Sequence, residues 1–520
     1  MPATPDSSHP ETEAERWWSF ANLVRPRIFT YWHAAAWLIL AVTAFRFWYA
    51  TQQELVGDEA YYWLWSKNLD ISYFSKGPGV AWTIALGRTL WGDTVFGVRF
   101  FAVLLSAGTG SMVFLLARRL FSGRTAYWSL ITLLAVPLYS LGSVLMTIDA
   151  LSVFFWAAAS LSFWRAKDSG KRGLWVLTGL LVGLGMLCKY TNVAQLICFG
   201  LFCACFADQR RHLKKTFWIM TAVALVCLAP VLLWNSRHDW VTFEHLWHRG
   251  SLDRAWRFSP QECLQFLTGQ ALVLTPFLAA GLVAAVVWTF RHAHATAHRK
   301  ELAYLLCLTL PLFAFYTFLS FNESGEANWT SQCWASGIIL LVAVWQPWMD
   351  RSAVLRRLAQ AGLALALLAT VLFHLASLAP PSGFRPLDKL FARNRGSADL
   401  ARQVSEIQQQ YGATFIIANK YPTVSLLSFY LPGRPRTYLP NDPQRRNQFT
   451  YWPDYTDGFL HESALFVTDS TEFPPALHRD FASVELLKET HSIHRGAPVH
   501  SYRIYLLREF GSGPSKPNQP

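Results

Sequence analysis

The stretch GDEAYYWLWSKNLDISYFSKGPG, Gly57–Gly79, decides how the rest of the chain is read. It lies between two apolar runs, at 31–50 and 97–117, and carries an acidic pair, Asp58 and Glu59. Tyr61, Tyr62, Trp63, Trp65, Tyr73 and Phe74 follow, with Lys76 set before Gly-Pro-Gly. A helix that crosses a bilayer needs about 20 apolar residues, and no such run occurs here. Aromatic and charged side chains mixed at this density belong to short helices lying along a membrane surface. Residues 51–96 are therefore expected to form juxtamembrane helices.

Working outward, the composition fits that setting. Of 520 residues 52% are hydrophobic and only 15% charged, where a soluble domain carries about 25% charged residues. The apolar residues come in blocks. Spans are expected at roughly 31–50, 97–117, two within 125–164, two within 173–207, then 216–234, 264–290 with a kink at Pro276, 301–319, 331–346 and 355–377, giving about eleven. The net charge of +13 then bears on membrane orientation rather than nucleic-acid binding, and no nucleic-acid partner is expected. The eight cysteines all sit in or beside apolar runs and read as small buried residues, not a disulfide framework. Residues 1–30 are polar, lack the form of a cleavable signal, and are expected to be cytoplasmic.

Lysine and arginine in short loops set orientation. Arg118, Arg119 and Arg124, then Arg165, Lys167, Lys171 and Arg172, then Arg210, Arg211, Lys214 and Lys215, with Arg291, Arg299, Lys300, Arg351, Arg356 and Arg357, mark the cytoplasmic loops. An odd number of spans then places the N-terminus inside and the C-terminus outside. Asp58, Glu59, Lys76, Asp149, Lys189, His238, Asp239, Glu323 and Glu326 all fall on the outer face. Ionisable residues at span ends are costly in lipid and tend to face a cavity, so this convergence marks a candidate site. After residue 378 the composition becomes that of a water-soluble domain. A helix is expected at 396–411 and strands at 413–419, 463–470 and 501–507, forming a periplasmic α/β domain over 379–520. The Pro/Gly/Arg-rich segment FYLPGRPRTYLPNDPQRRNQF reads as a loop facing the membrane site.

Each candidate has two readings. Asp58 and Glu59 are suited to deprotonating a hydroxyl or amine acceptor, or else form a solvated interfacial pair. Lys76 is suited to holding a phosphate as a point charge, or else snorkels. Asp149, the only charge between Thr125 and Trp164, is suited to facing a cavity, or caps the helix that follows. Lys189 with Tyr190 repeats the logic of Lys76. The aromatics suit stacking on sugar faces, though interfacial belts also collect them. HAHATAH, His292–His298, lies on the cytoplasmic side, so no metal site is expected. No Walker loop, GxGxxG, HExxH or GxSxG is present, which argues against a nucleotide-sugar donor and an ATP-driven pump.

GDEAYYWLW, YFSKGPG, MTIDA, CKYTN, WNSRHDW (234–240) and ANKYPTVSLLSFYLPG (418–433) together resemble bacterial integral-membrane glycosyltransferases of the dolichyl-phosphate-mannose–protein mannosyltransferase superfamily, near the lipid A aminoarabinose transferase branch. The resemblance runs from about residue 30 to the end; Gly-Pro after Lys76 departs from the Pro-Pro often found in that branch. It implies a GT-C fold and an inverting transfer of a sugar from a polyprenyl-phosphate donor, of undecaprenyl type, to an envelope lipid, glycan or protein. It also implies Asp58 as catalytic base with Glu59 as its partner and Asp149 as the second acidic residue. Lys76 would contact the donor phosphate, with Lys189 at the cavity rim. Tyr61, Tyr62, Tyr190 and Tyr421 are the expected sugar or acceptor contacts. No cofactor is expected, and the chain is expected to act as a monomer among membrane lipids. The competing classes are a flippase for lipid-linked sugar, which would show repeated halves, and a non-catalytic envelope assembly factor.

Overall fold

A computed structural model of the protein describes residues 30–250, 255–380, 383, 388–389, 391–442 and 446–512. The N-terminal segment expected to be cytoplasmic lies, but for residue 30, outside the described residues, as does Pro381 at the expected domain boundary.

The membrane part is an all-helical bundle. Helix Val95–Leu120 packs on Gly123–Ala135 and on Ile148–Ser169, which packs on Arg172–Cys188 and through it on Thr216–Val226. Aromatic rings fill the layer between them. Phe163 stacks on Phe199 at 4.0 Å between ring centroids, and the Tyr304 hydroxyl donates to the Ser160 carbonyl at 2.7 Å.

The expectation of about eleven spans is corrected. Among the described residues four helices are long and apolar enough to cross a bilayer: Val95–Leu120, Pro276–Ala295, Arg299–Ser320 and Ala353–Leu378. Thr216–Val226 and Ala229–Asn235, bent by 42°, make a fifth if the pair is one broken span. Tyr31–Ala50 and Ser331–Arg351 are unbroken but not apolar enough, and in other runs the backbone breaks the helix. Gly123–Ala135 stops after 13 residues, before Pro137. The run on either side of Lys189 divides into helices of 17 and 12 residues. Where one kinked span was expected over 264–290, Thr275 takes φ +72° and separates Pro260–Leu274 from Pro276–His292. Ile148–Ser169 has 22 residues but carries Asp149, Arg165, Lys167 and Asp168. A hydropathy window scores composition, whereas a span needs an unbroken hydrogen-bonded rod. The parity argument for the two termini lapses with the count.

The C-terminal region is α/β. Its sheet has the order β1 (Phe415–Ala418), β2 (Ala464–Thr468), β4 (Ala497–Phe510), β3 (Phe481–His494). β1 and β2 are parallel, and β4 runs antiparallel to both of its neighbours. β1 and β2 are short apolar runs buried at every position, as strands covered on both faces are. The three expected strands, at 413–419, 463–470 and 501–507, coincide with β1, β2 and β4. β3, mostly solvent-facing and polar, gave no such signal. Helix Ser397–Tyr411 buries Leu400, Ala401, Val404 and Ile407, the one-sided pattern of a surface helix.

This region is tied to the juxtamembrane stretch at several points. The Glu54 carboxylate accepts from the Ser397 and Ala398 amides at 2.6 and 3.2 Å, where the helix start favours an anion. The Gln448 amide donates to the Tyr61 hydroxyl at 2.8 Å, and its side-chain carbonyl accepts from Phe74 N at 2.7 Å. Gly57 lies so close to helix Tyr421–Tyr430 that a Cβ there would meet the Pro422 Cβ at 2.4 Å; only glycine permits this approach.

Candidate active site

Two short helices, Gly57–Lys67 and Gly79–Trp91, flank the turn that carries Lys76. Asp58 and Glu59 both occupy the first turn of the former, where the helix dipole favours carboxylates, yet they face opposite surroundings. Asp58 is exposed and accepts a 2.9 Å hydrogen bond from the Tyr421 hydroxyl. Glu59 is fully buried. Its Oε1 accepts from Arg99 Nε at 2.8 Å and Met146 N at 2.8 Å. Its Oε2 accepts from Arg99 Nη2 at 2.6 Å and Val56 N at 3.1 Å. Arg99 spends its remaining N–H groups on the carbonyls of Ala50, Gln53 and Glu54. The pair thus ties together the 50–59 turn, helix Val95–Leu120 and the entry to the helix bearing Asp149. Sequence reasoning grouped Glu59 with Asp58 as an acid pair facing substrate; the structure separates them and leaves Glu59 no free lone pair.

Asp149 and Lys189 form a second cluster. Lys189 Nζ lies 2.7 Å from Asp149 Oδ1, and Asn328 Nδ2 donates to Asp149 Oδ2 at 2.6 Å. Thr147, not Asp149, is the N-cap of Ile148–Ser169. Tyr62, one helical turn beyond Asp58, is buried beside both clusters. Burial, and then the Asp58, Tyr421 and Asp149 groups, hold its phenol well above the usual value, so it remains a neutral hydroxyl.

Lys76 differs from the other cations. Burial, together with repulsion from Lys189 and Arg249, outweighs attraction from Asp149 and Asp58 and pulls its ammonium down to about 8. It makes no ion pair among the described residues, unlike Lys189. Its turn is held against the Lys189 turn by backbone packing: a Cβ on Gly77 would stand 2.2 Å from the Leu187 carbonyl oxygen. Gly77→Ala must therefore push the two turns apart. The expected result is a loss of about 1–3 kcal/mol of stability, read by thermal unfolding. A wild-type melting temperature would show that the turns are not locked.

The remaining candidates are distributed as follows. The Tyr61 hydroxyl is committed to Gln448, and its ring packs on Tyr421 at 4.8 Å and Phe449 at 5.5 Å. Tyr190 buries its hydroxyl beside Ser72, ahead of Lys76. His238 stacks on Trp234 at 3.9 Å. Sequence reasoning missed Arg99, Asn328 and Arg249. Arg99 was detectable, because a charge inside an apolar run demands a partner; Asn328 lies in a short turn and Arg249 at the end of a short helix between apolar runs, where nothing in the chain marks them. Behind the Ala327–Thr330 turn that supplies Asn328 lies an open groove of about 530 Å³, lined by Gln261, Leu264, Gln265, Leu272 and Ser324 among others. Among the described residues no three His, Cys, Asp or Glu side chains converge as metal ligands.

The family model for dolichyl-phosphate-mannose-protein mannosyltransferases matches residues 75–234. Lipid A galacturonosyltransferase RgtD of Rhizobium johnstonii is 28% identical over 432 residues, covering 81% of this chain and 88% of that protein. The undecaprenyl phosphate-alpha-4-amino-4-deoxy-L-arabinose arabinosyl transferase of Edwardsiella ictaluri is 38% identical over 133 residues, 24% of each chain. The structure of ArnT from Cupriavidus metallidurans bound to undecaprenyl phosphate superposes with a TM-score of 0.62 at 16% identity, covering 92% of this chain and 99% of that one; this likeness concerns the fold. The chain is a membrane protein of the GT-C fold, similar in sequence to the dolichyl-phosphate-mannose-protein mannosyltransferases over residues 75–234 and to a lipid A galacturonosyltransferase over most of its length.

Proposed function

We propose that the protein is an inverting transferase that moves a sugar from a polyprenyl-phosphate donor to an envelope acceptor such as lipid A, at the periplasmic face of the bacterial inner membrane. One observation carries the reading. Lys76, without an ion-pair partner among the described residues, sits among Lys189 and Arg249 beside two carboxylates, Asp58 and Asp149. A cation left unneutralised in a desolvated site is poised for an anionic group. The names of the relatives supply the classes of donor and acceptor.

In this scheme Asp58 takes the acceptor proton, with Tyr421 fixing the carboxylate. The bond from the anomeric carbon to the phosphate oxygen breaks as the bond to the acceptor forms on the opposite face, inverting the centre. Lys76, with Arg249, stabilises the charge that develops on the leaving phosphate. Asp149, held by Lys189 and Asn328, orients the sugar or acceptor hydroxyls with Tyr62. Glu59 is a positioning residue. Basic loops at the opposite span ends, such as 118–124 and 210–215, support the periplasmic placement.

The function is tested by mass spectrometry of envelope lipids and glycans in a deletion strain, with and without the wild-type gene. One sugar-bearing species is expected to vanish and return. Unchanged envelope glycans, in cells shown to make the protein, would sink the reading.

The lowered Lys76 value predicts a pH dependence. The free ammonium is present below about 8 and lost above it, so kcat/KM for the donor should be level at neutral pH and fall as pH rises through that value. Arginine remains charged throughout, so Lys76→Arg should lower the plateau but abolish this fall. A fall retained in Lys76→Arg would assign the titration to another group.

A further inference from the structure

Helix Val241–Arg249 is clamped onto the turn that precedes Lys76. Asp239 and Trp240 take φ +51° and +56° to bring the chain round. Asn235 Oδ1 then accepts from Thr242 N at 3.1 Å, and Thr242 Oγ1 donates to the Tyr73 carbonyl at 3.2 Å. Trp240, Phe243 and Trp247 are exposed, on the outward side. His245 turns inward, its ring 4.8 Å from that of Phe74, and Arg249 lies one helical turn further along. No hydrogen bond to either ring nitrogen of His245 occurs among the described residues.

The charged groups that bear on His245 are Lys76, Arg249 and His248. Burial, followed by these three, pulls the imidazole down to about 4, so it is neutral at pH 7 when the site is empty. A neutral imidazole packed on Phe74, within electrostatic reach of two cations, is an uncommitted proton acceptor. A polyprenyl phosphodiester donor carries one negative charge. Once the anomeric C–O bond breaks and its electron pair passes to the phosphate oxygen, the monoester product carries up to two, with a second pKa of about 6. The acceptor proton leaves separately, through Asp58.

We propose that His245 answers this second charge: neutral over the bound phosphodiester, and protonated from solvent when the phosphomonoester product occupies the Lys76–Arg249 clamp. This rests on the donor reading given above. An opposite charge nearby favours the imidazolium, so His245 stabilises the product phosphate at no cost in repulsion before the bond breaks.

The test is isothermal titration calorimetry of undecaprenyl phosphate into the full-length detergent-solubilised protein at pH 7, in two buffers of different ionisation enthalpy. Wild type should take up a proton on binding that His245→Asn does not. Ionisation of Lys76 and of the phosphate is common to both proteins. Linkage makes the wild-type affinity fall between pH 6 and pH 8 by up to about tenfold per pH unit more than that of the variant. His245→Phe, which keeps the ring contact with Phe74, should match His245→Asn and guards against a folding defect. Binding with equal proton uptake in wild type and variants overturns the assignment of His245 alone. Absence of binding to wild type overturns the donor reading with it.

Discussion

Asp58→Asn should lower kcat by about 10²–10⁴-fold, the range for removal of a general base, while undecaprenyl phosphate affinity changes by no more than a few-fold. The substitution is isosteric, and an asparagine Oδ1 still accepts from the Tyr421 hydroxyl, which donates to Asp58 at 2.9 Å. What is lost is the negative charge and the ability to take a proton. Asp149→Asn provides the contrast. It removes the counter-ion of Lys189, 2.7 Å away, and adds an unpaired cation to the site. It should therefore alter donor binding as well as turnover. Turnover of Asp58→Asn within threefold of wild type would remove Asp58 as the base.

Glu59→Gln should be the most destabilising single change in the juxtamembrane stretch. Both partners of the Glu59–Arg99 pair are buried, with side chains 0% and 1% exposed. Breaking a buried pair by removing one partner costs about 3–5 kcal/mol, because the remaining charge is stranded. Here Arg99 would be stranded while still bound to three carbonyls. Replacing both residues, as in Glu59→Gln with Arg99→Met, should cost less than the sum of the single changes. Thermal unfolding in detergent and the yield of monodisperse protein measure this. Wild-type stability combined with lost turnover would instead place Glu59 in the chemistry.

These two neighbours show how far the residues alone could lead. Asp58 and Glu59 are adjacent, identical in charge and both in the first turn of one helix, so nothing local distinguishes them. Helical geometry sends them to different faces, and Arg99, forty residues away, claims one of them. Lys76 and Lys189 were both legible as cations at the ends of apolar runs. That Asp149 pairs with Lys189 and not with Lys76 is a tertiary contact with no pattern in the chain. His245 and Arg249 share a short helix between apolar runs, and only its docking onto Tyr73 brings His245 against Phe74.

The sequence by itself determined that the chain is a membrane protein and that its tail contains a helix and strands. Those properties follow from composition and local periodicity, which burial in lipid or in a core enforces residue by residue. The tertiary structure alone decided how many helices are unbroken enough to cross, which carboxylate is free and which is spent, and which cation has no counter-ion. Each of these depends on a partner distant in the chain, and the electrostatic cost of a buried charge depends on that partner.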